Sequence, residues 1–160
     1  MINFIDKKNC CGCHACFNAC PVQAISMARD AEGFLYPQVD KTKCIECGLC
    51  EKICPCLHPQ GNKERLTAYA AFSKDTPTRL DSSSGGIFSV LAQNILNKGG
   101  AVAGAVMDED MRGVHHIIVE QPGDLAKLRG SKYLQSKIGD IYAQSKKILD
   151  VGRPLFFTGT

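Results

Sequence analysis

The sequence predicts two consecutive units of different class: an α+β unit over residues 1–61 built around metal clusters, then an α/β unit with a mixed sheet over residues 62–160. Three observations lead there. One cysteine pattern is written twice before residue 56, a stretch rich in proline and polar residues follows it, and beyond that stretch strand-like and helix-like segments alternate.

The pattern is C-x-x-C-x-x-C-x-x-x-C-P. It runs through Cys10, Cys13, Cys16, Cys20 and Pro21, and again through Cys44, Cys47, Cys50, Cys54 and Pro55. Three thiolates separated by two residues can curl around one corner of an iron-sulfur cube, while the fourth, carried past a helical turn and stopped by proline, points the other way. That is the signature of a ferredoxin-like domain with two 4Fe-4S clusters, in which the fourth cysteine of each block serves the other cluster. The expected ligands are Cys10, Cys13, Cys16 and Cys54 for the first cluster and Cys44, Cys47, Cys50 and Cys20 for the second.

Two blander explanations compete. A tetrahedral zinc site needs only paired C-x-x-C units and gives no role to the third cysteine or the proline. A disulfide framework implies an exported chain, yet Met1 to Asn9 lacks the apolar core of a signal peptide and carries Asp6, Lys7 and Lys8. Reduced thiols in a cytoplasm are expected. Cys11 and Cys56 fall outside the pattern and read as incidental small residues. His14 could replace a thiolate only if one of the eight cysteines were missing.

Composition sets further bounds. With 44% hydrophobic and 22% charged residues among 160, the chain reads as a soluble protein with no apolar run long enough to span a membrane. The formal charge of +3 counts thiols as neutral. Eight thiolates and two cluster cores bring the loaded chain to about −1, which removes the argument for a nucleic-acid partner. A first unit this small needs the clusters as staples and is expected not to fold without iron.

Taken in order, Met1 to Asn9 reads as an edge strand, with Phe4 and Ile5 covering a cluster. Val22 to Ile25 reads as a short helical turn. Ile25 to Met27 and Phe34 to Val39 read as strands around the turn Asp30 to Gly33, and Asp40 to Lys43 deliver the chain to the second loop. Pro55, Pro59 and Gly61, followed by Asn62 to Arg65, mark a linker. Leu66 to Phe72 then reads as a strand. Phe88, Leu91, Ala92, Ile95 and Leu96 share one helical face, closed by Gly99 and Gly100. Ala101 to Met107 and His115 to Glu120 are strands, residues 122 to 129 a short helix opened by Pro122, and Ile138, Ile141, Tyr142, Ile148 and Leu149 a helix stopped by Gly152. Leu155 to Phe157 begin one more strand.

A second site is suggested by Ser82, Ser83, Ser84, Gly85 and Gly86, directly before the helix over 87–98. Hydroxyls and unobstructed N–H groups at a helix's positive end suit phosphate, although a serine cap and a glycine turn explain the same residues. Gly130, Ser131, Lys132 and Tyr133 offer backbone donors, a point charge and an aromatic face, or simply a solvated loop. His115 and His116 point to opposite faces of a strand and have no acid-base partner visible in sequence.

At Ser84, Gly85, Gly86, at Gly130, Ser131, Lys132, Tyr133 and at Phe157, Thr158, Gly159, Thr160 the chain resembles the beta-subunit family of deazaflavin-dependent (coenzyme F-420) hydrogenases and dehydrogenases. The Cys10 to Pro55 unit is common there as an N-terminal extension. The resemblance implies an FAD site at or near Ser84, Gly85, Gly86, Gly130, Ser131, Lys132 and Tyr133, with electrons passing between the clusters and flavin. It also implies a redox partner protein and coenzyme F-420 as a candidate substrate. Members continue past residue 160, so the second unit is expected to be the N-terminal part of a longer domain. Two functions follow: an iron-sulfur flavoprotein of the oxidoreductase class, working as one part of a larger enzyme, or a non-catalytic electron-transfer or docking module that binds no flavin.

Overall fold

The structure is a computed structural model that describes residues 1–3, 7–59, 61 and 67–159. The chain divides into two units, Met1–Arg65 and Leu66–Thr160.

In the first unit each cysteine loop turns into one short helix, α1 (Ala15–Ala19) and α2 (Leu49–Lys52). Both start from a left-handed residue just after the second cysteine of the block, His14 at φ 62° and Gly48 at φ 73°. Between the loops, β1 (Ile25–Arg29) and β2 (Leu35–Val39) pair antiparallel from Ile25↔Val39 to Arg29↔Leu35. The turn between them is set by Asp30, whose Oδ1 accepts from the backbone N–H of Glu32 and of Phe34, each at 3.0 Å. Pro37 is tolerated because each strand of a two-stranded sheet has an unpaired edge. Asp40 Oδ1 accepts from Thr42 N (2.9 Å) and Oγ1 (2.6 Å), which directs the chain into the second loop.

Two expectations in this unit fail. Lys7–Asn9 form a 3-10 turn and Met1 to Asn3 no strand, because the Ile2 N–H donates to Cys50 Sγ (3.3 Å) instead of to a strand ladder. Residues 21–22 make a plain turn, not a helical one, with Gln23 at φ 51° leading into β1. Phe4, Ile5 and the Asn62 to Arg65 linker lie outside the described residues.

The core of this unit consists of Ile2, Cys16, Ile25 and Cys54, with Phe17, Cys20, Val39 and Cys50 packed against it. Half of these side chains are thiols. Apolar carbon alone is too scarce here to offset the entropy of ordering the chain.

In the second unit α3 (Thr76–Leu80) leads to α4 (Ile87–Asn97), β3 (Ala101–Met107), β4 (Val114–Val119), a 3-10 segment at Pro122–Leu128, α5 (Ile141–Asp150) and β5 (Leu155–Phe157). The sheet order is β4-β3-β5. β3 pairs antiparallel with β4 and parallel with β5, so the sheet is mixed. Ala92 and Leu96 of α4, Val102, Val119, Leu125 and Leu128 form the core, with Phe88, Ile117 and Phe156 against it. Phe157 instead stacks on His116 and on Tyr142 of α5, with ring centroids 5.4 and 5.5 Å apart. Leu91, expected on the buried face of α4, is 46% exposed.

Both long helices end as their glycines predict. Gly99 N–H donates to Leu96 O and Gly100 N–H to Ile95 O; Gly152 N–H donates to Leu149 O and Arg153 N–H to Ile148 O. Each is a Schellman closure. The sequence reading does not include α3, although its signal is present: Asp75 caps it, accepting from Thr78 N–H at 2.9 Å, with Pro77 in the first turn. The strand expected over 66–72 is absent over its described part, 67–72. That stretch takes no ladder partner among the described residues, and Tyr69 is 86% exposed.

If the first core depends on iron, chelating iron from the reduced chain will abolish hydrogen-exchange protection in β1 and β2 while β3 and β4 keep theirs. Persisting protection in β1 and β2 would show that the unit folds on carbon alone.

Candidate functional site

The two cysteine blocks are brought together in the first unit. Cys16, on α1, and Cys54, just after α2, lie in one core and are 7% and 6% exposed. Cys20, Cys44, Cys47 and Cys50 line a single cavity, walled by Val22, Ala24, Ile25, Val39 and Leu49. All ten cysteines are thiols.

The donor set fits iron-sulfur clusters on several counts. Cys20 Sγ accepts from Ala24 N–H at 3.2 Å and Cys50 Sγ from Ile2 N–H at 3.3 Å, the type of bond that stabilises ligand sulfur and tunes potential. His14, between Cys13 and Cys16, is 7% exposed, and its Nδ1 is buried without a hydrogen-bond partner among the described residues. A sulfide acceptor would satisfy it. Burial holds the His14 imidazole below its ordinary pKa, raises the Cys10 thiol, and pushes Cys16 up to about 11. Metal must therefore displace protons from buried thiols, which couples loading to proton release.

In the second unit both glycine loops reach one cavity of about 430 Å³, within the range of about 300–1,000 Å³ typical of small-molecule sites. Ser84, Gly85, Gly86, Gly130, Ser131 and Lys132 all line it. Ser83 Oγ and Ser131 Oγ lie 3.5 Å apart, joining the two loops. Ala105, Leu128 and Phe88 give it an apolar side, and Thr158 and Gly159, just past β5, complete it. Tyr133 does not line it and is 94% exposed.

The sequence shapes this cavity locally. Gly86 is the N-cap of α4 at φ 78°, a conformation that costs any other L-residue energy, and it supplies no side chain to cap the helix's first N–H groups. Gly85 is needed for close approach: a Cβ there would meet Ala71 O at 2.6 Å, where Gly85 O accepts from Ser73 N–H. Ser89 Oγ and Arg129 Nε are buried without hydrogen-bond partners among the described residues, and both residues line the cavity. Buried polar atoms left this way carry a desolvation cost that a polar ligand would relieve. The residues thus fit a group with oxygen acceptors. Lys132 is turned inward: Nζ donates to Leu128 O (3.0 Å) and Arg129 O (2.8 Å), and burial lowers its pKa. It fastens its own loop.

The histidines lie apart, as strand alternation requires. His116 is 5% exposed, with Nδ1 2.7 Å from Ser136 Oγ and Nε2 2.8 Å from Thr158 O. It props the segment that completes the cavity. His115 does have a carboxylate partner, contrary to expectation: Asp108 Oδ1 lies 2.5 Å from its Nδ1. The pair spans the β3–β4 turn, and antiparallel register was the only signal for it.

Eight thiols in two ferredoxin-type blocks, six of them in the core or cavity of the first unit, are the pattern of an iron-sulfur protein, and the second unit carries a cavity of its own. Residues 9–57 match the 4Fe-4S dicluster domain family, so the first unit is an iron-sulfur electron-transfer domain. Residues 68–141 match the family described as "Coenzyme F420 hydrogenase/dehydrogenase, beta subunit N-term", so the second unit is similar to that family over this segment. It is similar to one of the subunits of the F(420)H(2) dehydrogenase of Methanosarcina mazei, with 25% identity over 143 residues, 84% of this chain and 41% of that protein. It is also similar to one of the subunits of the H(2):CoB-CoM heterodisulfide,ferredoxin reductase of Methanothermobacter marburgensis, with 31% identity over 64 residues, 32% of this chain and 10% of that protein. The chain thus spans less than half the length of either relative. Among the described residues no helix is long and apolar enough to cross a membrane.

Replacing His116 with alanine will lower the second unit's stability by roughly 2 kcal/mol, through the lost ring contact with Phe157 and the lost hydrogen bonds to Ser136 Oγ and Thr158 O. His115→Ala should shift it by less than about 0.5 kcal/mol, since its contact with Asp108 is partly solvent-exposed. Denaturant titration of the two variants checks the order; equal effects would contradict it.

Proposed function

We propose that the chain is the iron-sulfur and flavin-binding part of a multi-subunit oxidoreductase. Electrons from a partner protein would pass through two 4Fe-4S clusters to a flavin held in the second unit, with a deazaflavin of the coenzyme F-420 type as the acceptor class. The observation that carries this reading is the meeting of the Ser84–Gly86 and Gly130–Lys132 loops in one cavity, in the same chain as eight cluster-type thiols.

For the clusters, Cys10, Cys13, Cys16 and Cys54 would hold the first and Cys44, Cys47, Cys50 and Cys20 the second. The shared burial of Cys16 with Cys54, and the common cavity of Cys20 with the second block, support an exchange of fourth ligands. Ile2, Ile25, Phe17 and Val39 would exclude water from the sulfurs, and the N–H groups of Ile2 and Ala24 would withdraw charge from Cys50 and Cys20.

For the flavin, the first N–H groups of α4 would bind phosphate oxygen, helped by the helix's positive end. Ser84 and Ser131 hydroxyls and Ser89 Oγ are further donors around the same space. Leu128, Ala105 and Phe88 would shield an aromatic ring from water. Bound flavin supplies the conversion between single electrons and a hydride equivalent. Tyr133 keeps a place in this reading only as an exposed face beside the loop.

The inward bonding of Lys132 favours a second reading, a module that carries electrons and binds no flavin. Anaerobically purified, iron-loaded chain should release yellow flavin on denaturation, or bind added FAD; a colourless supernatant and no heat on FAD titration establish the second reading instead.

Ligand exchange has its own test. Cys10→Ala and Cys54→Ala should each lower iron from about eight to about four per chain and delete the same electron paramagnetic resonance signal. Cys20→Ala should delete the other. Loss of the Cys44-block signal in Cys54→Ala would show that each block binds its own cluster.

A further inference from the structure

Two cysteines outside the ligand pattern meet on the surface of the first unit. Cys56 Sγ lies 3.5 Å from Cys11 Sγ, although the residues are 45 positions apart, and both are exposed. Their neighbours turn the other way: Cys54 is buried and Cys10 partly so. Local geometry produces this. The 3-10 turn Lys7–Asn9 closes with Cys10 N–H on Lys7 O, and Gly12 at φ 62° follows Cys11. At the other end, the turn over residues 55–57 closes with His58 N–H on Cys54 O at 2.9 Å and carries Cys56 outward.

We propose that Cys11 and Cys56 form a reversible disulfide across the junction of the two cysteine loops, a modification site that leaves all eight cluster ligands untouched. A disulfide bond is about 2.0 Å long, so the sulfurs need to close by about 1.5 Å, within reach of χ1 rotation and a small shift of exposed turns. The oxidant is a small-molecule disulfide. One of the two sulfurs attacks it as thiolate, forming a mixed disulfide and releasing one small thiol; the second displaces the other small thiol. Two cysteine S–H bonds and one small-molecule S–S bond are consumed, and one protein S–S bond and two small thiols are produced. A dithiol reverses the exchange.

The location gives the bond a consequence. Cys11 adjoins Cys10 and Cys56 lies two residues after Cys54, and in the ligand assignment above both of those serve the first cluster. The bridge therefore ties together the two chain segments that the first cluster itself joins. In a unit whose core is half thiol, such a tie limits how far the loops can open when iron is challenged.

The inference rests on the cluster reading, and iron is measured separately so that the two can fail independently. Anaerobically prepared full chain is treated with glutathione disulfide, alkylated under acid quench and peptide-mapped, with iron assayed before and after. The expected result is a linked peptide joining Cys11 to Cys56, a mass lower by about 2 Da before alkylation, unchanged iron, and several-fold slower iron loss to a chelator. Cys11→Ser and Cys56→Ser should keep their iron and carry a glutathione adduct at the remaining cysteine. Separate adducts on Cys11 and Cys56 in the parent chain, or a link through a ligand cysteine with loss of iron, would overturn the proposal. Iron-free starting material would count against the cluster reading, while the linked peptide would still decide this one.

Discussion

The first unit is constrained by the sulfur in its core, where half of the packed side chains are thiols. Among the described residues its buried core cluster is Ile2, Ile25, Cys16 and Cys54, with Ala24 and His14 also buried. Thiols are small and only weakly hydrophobic, so their burial contributes little by itself. On the proposed ligand assignment, their value to the fold would come from bonds to metal that fix distant segments at once. Folding and loading would then be one equilibrium, and the burial that raises the Cys10 and Cys16 thiols would make it exchange protons for iron.

The second unit is organised by the reverse arrangement, an apolar core that leaves polar atoms exposed at one end. β3 is made of small residues, with Ala101, Val102 and Ala103 fully buried, so α4 and the Pro122–Leu128 segment can pack closely on it. Because α4 runs into β3 and β5 runs parallel to β3, the start of α4 and the ends of both strands fall at the same end of the sheet. Ligand sites in α/β sheets form at that end. Ser84 to Phe88, Ala105, Thr158 and Gly159 all line the cavity found there.

What the sequence revealed, and what it hid, follows from the range of the forces involved. Spacing rules are local, and they found the two cysteine blocks that the dicluster family matches, the glycine stops of α4 and α5, and the strands at 101–107 and 155–157. Pairing is not local. The stretch at 67–72 has the apolar character of a strand yet lies beside the Gly85 turn with no ladder partner among the described residues, and Ile2 bonds to a sulfur rather than to a strand. The same limit hid His115 with Asp108 and Cys11 with Cys56, contacts made by sheet register and by loops far apart in sequence. Of the seven residues expected at the second site, six reach the cavity. Tyr133 does not, because the turn that places Lys132 inward leaves the next side chain outside.

Whether the thiols of the first unit hold two cubic clusters is decided by joint assay of iron and acid-labile sulfide on anaerobically purified chain. About eight of each per chain are expected. Zinc in their place, with no inorganic sulfide, would refute the cluster assignment and the electron-transfer role built on it.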